Sequence, residues 1–152
     1  MTVKKGLPAF NLKNANVVIL GTFPGELSLC KQEYYANSSN DFWCLLGLKK
    51  HDMNALKKLH IGLWDVIASC ERDGSADRNI RKPKYNDLSE LKGKKIFFNG
   101  KSAYKYFLIA QRKQNIDLQV SEKQILLSSS SAIDVDYKIK QKQWQKVIMA
   151  AK

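Results

Sequence analysis

The sequence has no stretch near the roughly 18 consecutive apolar residues of a membrane span; the run Val17-Val18-Ile19-Leu20 is short. A helical membrane protein is therefore excluded. Met1 to Lys5 is charged and lacks the apolar stretch of a secretion signal. Cysteine is scarce: Cys30, Cys44 and Cys70 are odd in number and widely spaced, so no disulfide framework is expected. The two histidines, His51 and His60, make no close ligand pattern with them, so no metal site is expected. Acidic residues are also few. Fourteen stand against 26 Lys and Arg, a net charge of +12, which favours an anionic partner, nucleic acid first. These features describe a soluble, intracellular (cytoplasmic) protein with no membrane partner.

What is present is enough for a core. Of 152 residues, 44% are hydrophobic and 10% aromatic, as in a folded globular chain. A chain of this length buries a core without staples or metals. The one low-complexity run, Ser128 to Ser131, is too short for a linker. No repeat or composition break divides residues 1–152, which read as a single domain.

Short apolar runs alternate with helical periodicity. Val17 to Leu20 ends at Gly21, as a buried parallel strand does. Ile61 to Val66, Ile96 to Phe98 before Asn99-Gly100, and Ile125 to Leu127 before the serines read the same way. Phe42, Leu45 and Leu46 have helical spacing, with Gly47 as a stop, and Tyr104, Phe107 and Leu108 repeat it. Tyr137, Trp144, Val147, Ile148 and Ala151 form a C-terminal stripe. The pattern predicts an α/β fold: a three-layer single domain with a central, mainly parallel four-stranded sheet flanked by helices. In such sheets ligands bind at the carboxyl ends of the strands. Attention therefore falls on Gly21 onward, Asp65 to Lys84, Asn99 to Ser102, and Ser128 to Asp134.

Gly21-Thr22-Phe23-Pro24-Gly25 follows the first strand. It is neither a Walker loop nor a dinucleotide fingerprint. Its glycines, Gly25 among them, permit close backbone approach to a ligand. Tyr34-Tyr35 then precede Asn40-Asp41-Phe42-Trp43. This order resembles the uracil-DNA glycosylase superfamily, in which a Gly-x-x-Pro-Gly loop is followed by an Asn-x-Phe-Trp helix. Leu63 to Ser75 and Phe97 to Lys101 resemble the hypoxanthine-DNA (deoxyinosine) glycosylase branch. The resemblance runs from about Ala15 to the C-terminal helix.

The resemblance implies an enzyme that flips a deaminated base out of single- or double-stranded DNA and hydrolyses its N-glycosidic bond. No cofactor is implied, and a monomer is expected. Many superfamily members carry Asp or Asn at the third place of the first motif. Here it is Phe23, which cannot hold water but can stack on a base, as can Tyr35. The catalytic role implied for the hypoxanthine branch falls on Asn40, whose other reading is a helix N-cap. A His that many members place after the fourth strand is absent. In its place Ser130 and Ser131 offer phosphate contacts, and Ile133 reads as a wedge into the duplex or as core. Asp65 reads as base selector or as a cap or ion-pair partner. A carboxylate accepts from hypoxanthine N1–H and meets only a lone pair on adenine. Arg72, Arg78 and Arg81 are expected on the DNA backbone rather than on a merely solvated loop, and Lys101 at a helix start that suits phosphate. Two other readings stay open: a uracil-DNA glycosylase, and an inactive DNA-binding module of the same fold.

Overall fold

A computed structural model describes residues 2–130 and 136–152. In chain order its regular elements are β1 (Val3–Lys5), β2 (Val17–Gly21), α1 (Glu26–Lys31), α2 (Phe42–Leu45), α3 (Met53–Lys58), β3 (Ile61–Asp65), β4 (Ile67–Glu71), β5 (Arg81–Tyr85), β6 (Lys95–Asn99), α4 (Lys101–Gln114), β7 (Ile125–Leu126) and α5 (Tyr137–Ala151). Among the described residues no helix is long and apolar enough to cross a membrane.

The four apolar runs form one all-parallel sheet in the order β3-β2-β6-β7. Strand β2 is fully buried because both of its faces are covered. Alternation along β2 divides the core. Val17 and Ile19 face Phe42, Trp43 and Trp144, while Val18 and Leu20 face Phe98, Ala103 and Phe107. Helices α2, α3 and α5 therefore cover one side and α4 the other, giving the expected three layers. Leu108, expected in the stripe of α4, is exposed, and Ala103, Phe107 and Ala110 carry that face.

A second sheet was not foreseen. It is antiparallel, in the order β1-β4-β5, and grows out of the first where β3 continues through Val66 into β4. The Val66 and Ile67 N–H groups donate to the carbonyls of Gly21 and Thr22, at 2.9 and 3.1 Å. That junction fixes the loop after β2. The basic segment expected as a loop is thus partly a strand, with Arg81, Lys82 and Lys84 on an exposed edge.

Helix α5 grips the other side of the sheet's carboxyl end. Gln143 Oε1 accepts from Leu127 N at 2.6 Å, and the Trp144 indole donates to Leu127 O at 2.8 Å. One turn earlier Lys140, 3% exposed, donates to Ser130 O at 3.3 Å and pairs with Asp41 at 3.4 Å. Lysines on an amphipathic helix are ordinarily solvated. Lys140 is not, because its position shares the i, i+3, i+4 face of Gln143 and Trp144.

Candidate functional site

The carboxyl ends of the parallel strands surround a cavity of about 400 Å3. Gly21, Asp65 and Asn99 come from β2, β3 and β6, and Ser128 to Ser130 from the loop after β7. Order in the sheet reverses at β2, so this is the switch point where α/β folds bind ligands. Gly21 is required by space: a Cβ there would stand 2.5 Å from Asp65 Oδ1 and 3.5 Å from the Tyr35 hydroxyl.

Asp65 is 6% exposed. Its backbone carbonyl accepts from Asn86 Nδ2 at 2.7 Å, but its carboxyl Oδ2 has no partner among the described residues. Burial, and then the charge of Asp77, push its pKa up to about 7, against the opposing pull of Arg72. Asp77 also lines the cavity, with the Thr22 and Ser102 hydroxyls close enough to favour its ionised form. Burial raises its pKa above the ordinary carboxylate value, while those hydroxyls and Arg72 favour the ion.

Tyr35 adopts a left-handed backbone, φ 52°, uncommon for an aromatic residue. Its carbonyl accepts from the Trp43 indole at 3.2 Å, and its ring stacks on Phe42 with centroids 4.0 Å apart. Burial, followed by the charge of Asp65, raises the pKa of its phenol, against an opposing effect of the nearby Asn99 amide. Asn99 is itself locked: Oδ1 accepts from Ser129 N and Nδ2 donates to Ser129 Oγ, both at 2.8 Å. Ser129 O accepts from Asp41 N at 2.9 Å, closing a ring of contacts around the cavity.

Asn40 sits in that ring, half-buried, just before α2. Its Oδ1 accepts from Phe42 N at 3.0 Å, so the capping interaction exists, although Asp41 occupies the cap position itself. That bond fixes the amide's orientation. Nδ2 has no acceptor among the described residues and remains available to the cavity that Asn40 lines. Asn37 is exposed, and its Oδ1 is taken by Ser39 N and Oγ at 3.0 and 2.8 Å.

Phe23 lines the cavity but is 6% exposed, packed with Ile67, Cys70 and Ile80. The Arg72 guanidinium lies over its ring at 5.1 Å. Arg72 is the main correction to the expected DNA-contacting residues. It is 1% exposed, donates to Pro24 O at 2.6 Å and to Gly74 O at 2.9 Å, and so clamps the loop after β2 from inside. A side chain buried to this degree does not reach a DNA backbone. Gly25 precedes α1, where a Cβ would meet Ser75 Oγ at 3.4 Å. Arg78, Arg81 and Lys101 are exposed, and Arg81 donates to the carbonyls of Arg78 and Ile80, both at 3.0 Å. Ser130 lines the cavity, while Ser131 and Ile133 lie outside the described residues.

The structure thus brings Phe23, Tyr35, Asn40, Asp65 and Ser130 to one cavity, with Gly25 at its wall. It adds Asp77 and Asn99, which sequence reading passed over as site residues. Asn99 had a usable signal, the carboxyl end of a parallel strand. Asp77 had none.

A profile of the Uracil DNA glycosylase superfamily matches residues 7–151. The chain is 35% identical over 156 residues to a protein of Methanosarcina barkeri named Hypoxanthine DNA glycosylase, covering 93% of this chain and 95% of that one. It is 40% identical over 119 residues to a protein of the same name from Methanosarcina acetivorans, covering 68% of this chain and 75% of the relative. The solution NMR structure of a uracil DNA glycosylase candidate from Methanosarcina acetivorans superposes with a TM-score of 0.71, at 34% identity and 97% coverage of both chains.

Proposed function

The chain belongs to the uracil DNA glycosylase superfamily, and from that membership we propose that it is a DNA-deoxyinosine glycosylase, excising hypoxanthine from DNA. The substrate is single- or double-stranded DNA carrying the deaminated base, and one monomeric domain does the work without a cofactor. The observation that carries this reading is Asp65, a buried carboxyl that lines the cavity and whose Oδ2 has no partner among the described residues. A buried acceptor left unpaired is costly, so the site favours a base that brings an N–H to it. Hypoxanthine N1–H does so. Adenine presents a lone pair there, which the ionised carboxylate repels.

The rest of the reaction follows from the other walls. Tyr35 and the accessible part of Phe23 offer aromatic surface to the base. Asn40 Nδ2, oriented by the bond from Phe42 N to Oδ1, holds the attacking water or a sugar oxygen beside C1′. Water bonds to C1′ and loses a proton to solvent as the C1′–N9 bond breaks; the electron pair of that bond leaves with the base, which takes up a proton from solvent. Arg78, Arg81 and Lys101, with the backbone at Gly25 and the loop at Ser130, face the phosphates and supply affinity without reading sequence.

The test is base release from duplexes carrying inosine, uracil or xanthine. Hypoxanthine release is expected to be fastest. Uracil N3–H also satisfies Asp65, so faster uracil release assigns the chain to uracil excision instead. Tight binding with no release of any base refutes an enzyme and leaves a DNA-binding module.

A further inference from the structure

Two cavities meet where β2 and β6 end. One is the base cavity described above. The other, about 1020 Å3, runs along the start of α4 past Lys101 and Ser102. Among the described residues the two share Asp77, Asn99 and Ser128 and no other. A nucleotide has its base at one end, its phosphates at the other and its sugar between. With the base in the first cavity and a phosphate at the N-terminus of α4 beside Lys101, the deoxyribose crosses the ridge formed by those three residues. This placement rests on the reading that the first cavity takes the base. Asp77 is the one ionisable residue on the ridge.

We propose that Asp77 is a catalytic residue of glycosidic hydrolysis, its carboxylate facing C1′ of the flipped nucleotide. It stabilises the positive charge that develops on the sugar and takes the proton of the attacking water. The water oxygen bonds to C1′. The C1′–N9 bond breaks and its electron pair leaves with the base, which takes up a proton from solvent. Asp77 passes the water's proton back to solvent, so the step balances without a further reactant.

Independent features agree. Phe23, at the tip of the neighbouring loop, can neither take a proton nor hold water, and Asp77 reaches the same cavity from another loop. The Thr22 and Ser102 side chains, from β2's loop and from α4, favour its ionised form. Asp65, whose buried Oδ2 has no partner among the described residues, lines the same cavity, so its wall carries a second carboxyl suited to a polar ligand. The charged and titratable groups around Asp77 are Asp65 at the end of β3, Cys70 on β4, Arg72 after β4 and Tyr106 on α4, with Asp73 and Arg78 near it in its own loop.

The experiment is single-turnover excision from an inosine duplex by the full chain, from about pH 5 to pH 9, with Asp65→Asn run alongside to remove any limb owed to that neighbour. Asp77→Asn is expected to lose about a hundredfold or more in rate and to lose the acidic limb of the profile, with duplex affinity undiminished. Ser102→Ala keeps the carboxylate but removes a hydroxyl that favours its ionised form, so the limb is expected to move to higher pH. An Asp77→Asn rate within about threefold of wild type, limb intact, overturns the proposal. An Ser102→Ala limb that does not move also overturns it, and that arm decides the matter where Asp77→Asn does not fold. A wild-type chain that releases no base sinks the proposed function and this proposal together. Excision indifferent to Asp77→Asn sinks this one alone.

Discussion

Asn40 combines two roles that substitution can separate. Its Oδ1 accepts from Phe42 N at 3.0 Å, while its Nδ2 has no acceptor among the described residues. Asn40→Ala removes both groups. The lost cap costs about 1 kcal/mol, which for a domain of this size lowers Tm by about 2–4 °C. The lost donor acts only as the bond breaks, and one preorganised donor is worth about 3–4 kcal/mol, a factor of roughly 10²–10³ in rate. Asn40→Asp is the sharper probe. An aspartate still accepts from Phe42 N, so the melting temperature is expected to hold, but the donor is gone and part of the rate goes with it. What remains measures how far a carboxylate alone orients water. Rates come from single-turnover release of hypoxanthine under saturating enzyme, and stability from thermal melts of the same samples. Asn37→Ala, which disturbs only an exposed turn with Ser39, is the control and leaves both unchanged. Normal excision by Asn40→Ala with the small loss in Tm reduces Asn40 to a cap and refutes its assignment to catalysis.

The Asp65 carboxyl has a pKa raised to about 7 in the folded chain against an ordinary value near 3.8. Between those two values the folded state holds the extra proton, so stability falls as pH rises from about 4 to about 7, on the order of one kcal/mol per unit. Asp65→Asn is expected to abolish that slope and to melt higher than wild type at pH 8, while excising adenine as well, because an amide donates as well as accepts. Rejection of adenine by the wild type is expected to weaken below about pH 7, where the protonated acid gains a donor. Gly21→Ala puts a methyl group 2.5 Å from Asp65 Oδ1, so the carboxyl must move, and hypoxanthine release is expected to collapse with the melt little changed. Arg78→Ala is expected to weaken binding to every duplex alike and to lessen the fall of affinity with salt. Arg72→Met instead lowers Tm, because it removes the donor to Pro24 O from inside the fold. A titration of duplex affinity against salt beside the melts distinguishes these two arginines.

The parallel sheet was legible because its strands are buried on both faces and so read as unbroken apolar runs ending at Gly21, Asp65, Asn99 and the serines. Those endings also gave the site its location, and the order of motifs gave Phe23, Tyr35 and Asn40. The antiparallel sheet carries no such signal. Val3–Lys5 is three residues, and Arg81–Tyr85 holds three cations and Pro83, a composition that suits an exposed edge and reads locally as a loop. The six-residue α1 and α3 are too short for periodicity to mark. Arg72 was placed on the surface because burial of a charged side chain follows from tertiary partners, here Pro24 O and Gly74 O, that no local pattern announces. Asp77 was hidden for the same reason: its neighbours Thr22 and Ser102 are distant in sequence.

The rings behind Tyr35 form a built-in optical reporter. Tyr35 stacks on Phe42, and Phe42 meets Trp43 and Trp144 edge-on, at 5.0 and 5.8 Å. Both indoles are shielded from solvent. A purine that settles against Tyr35 is expected to press on this file of rings and so to change the emission of the two tryptophans behind it, which rapid mixing with an inosine duplex reads. The moment of base flipping is thereby visible in the unlabelled protein, separate in time from the bond cleavage that follows.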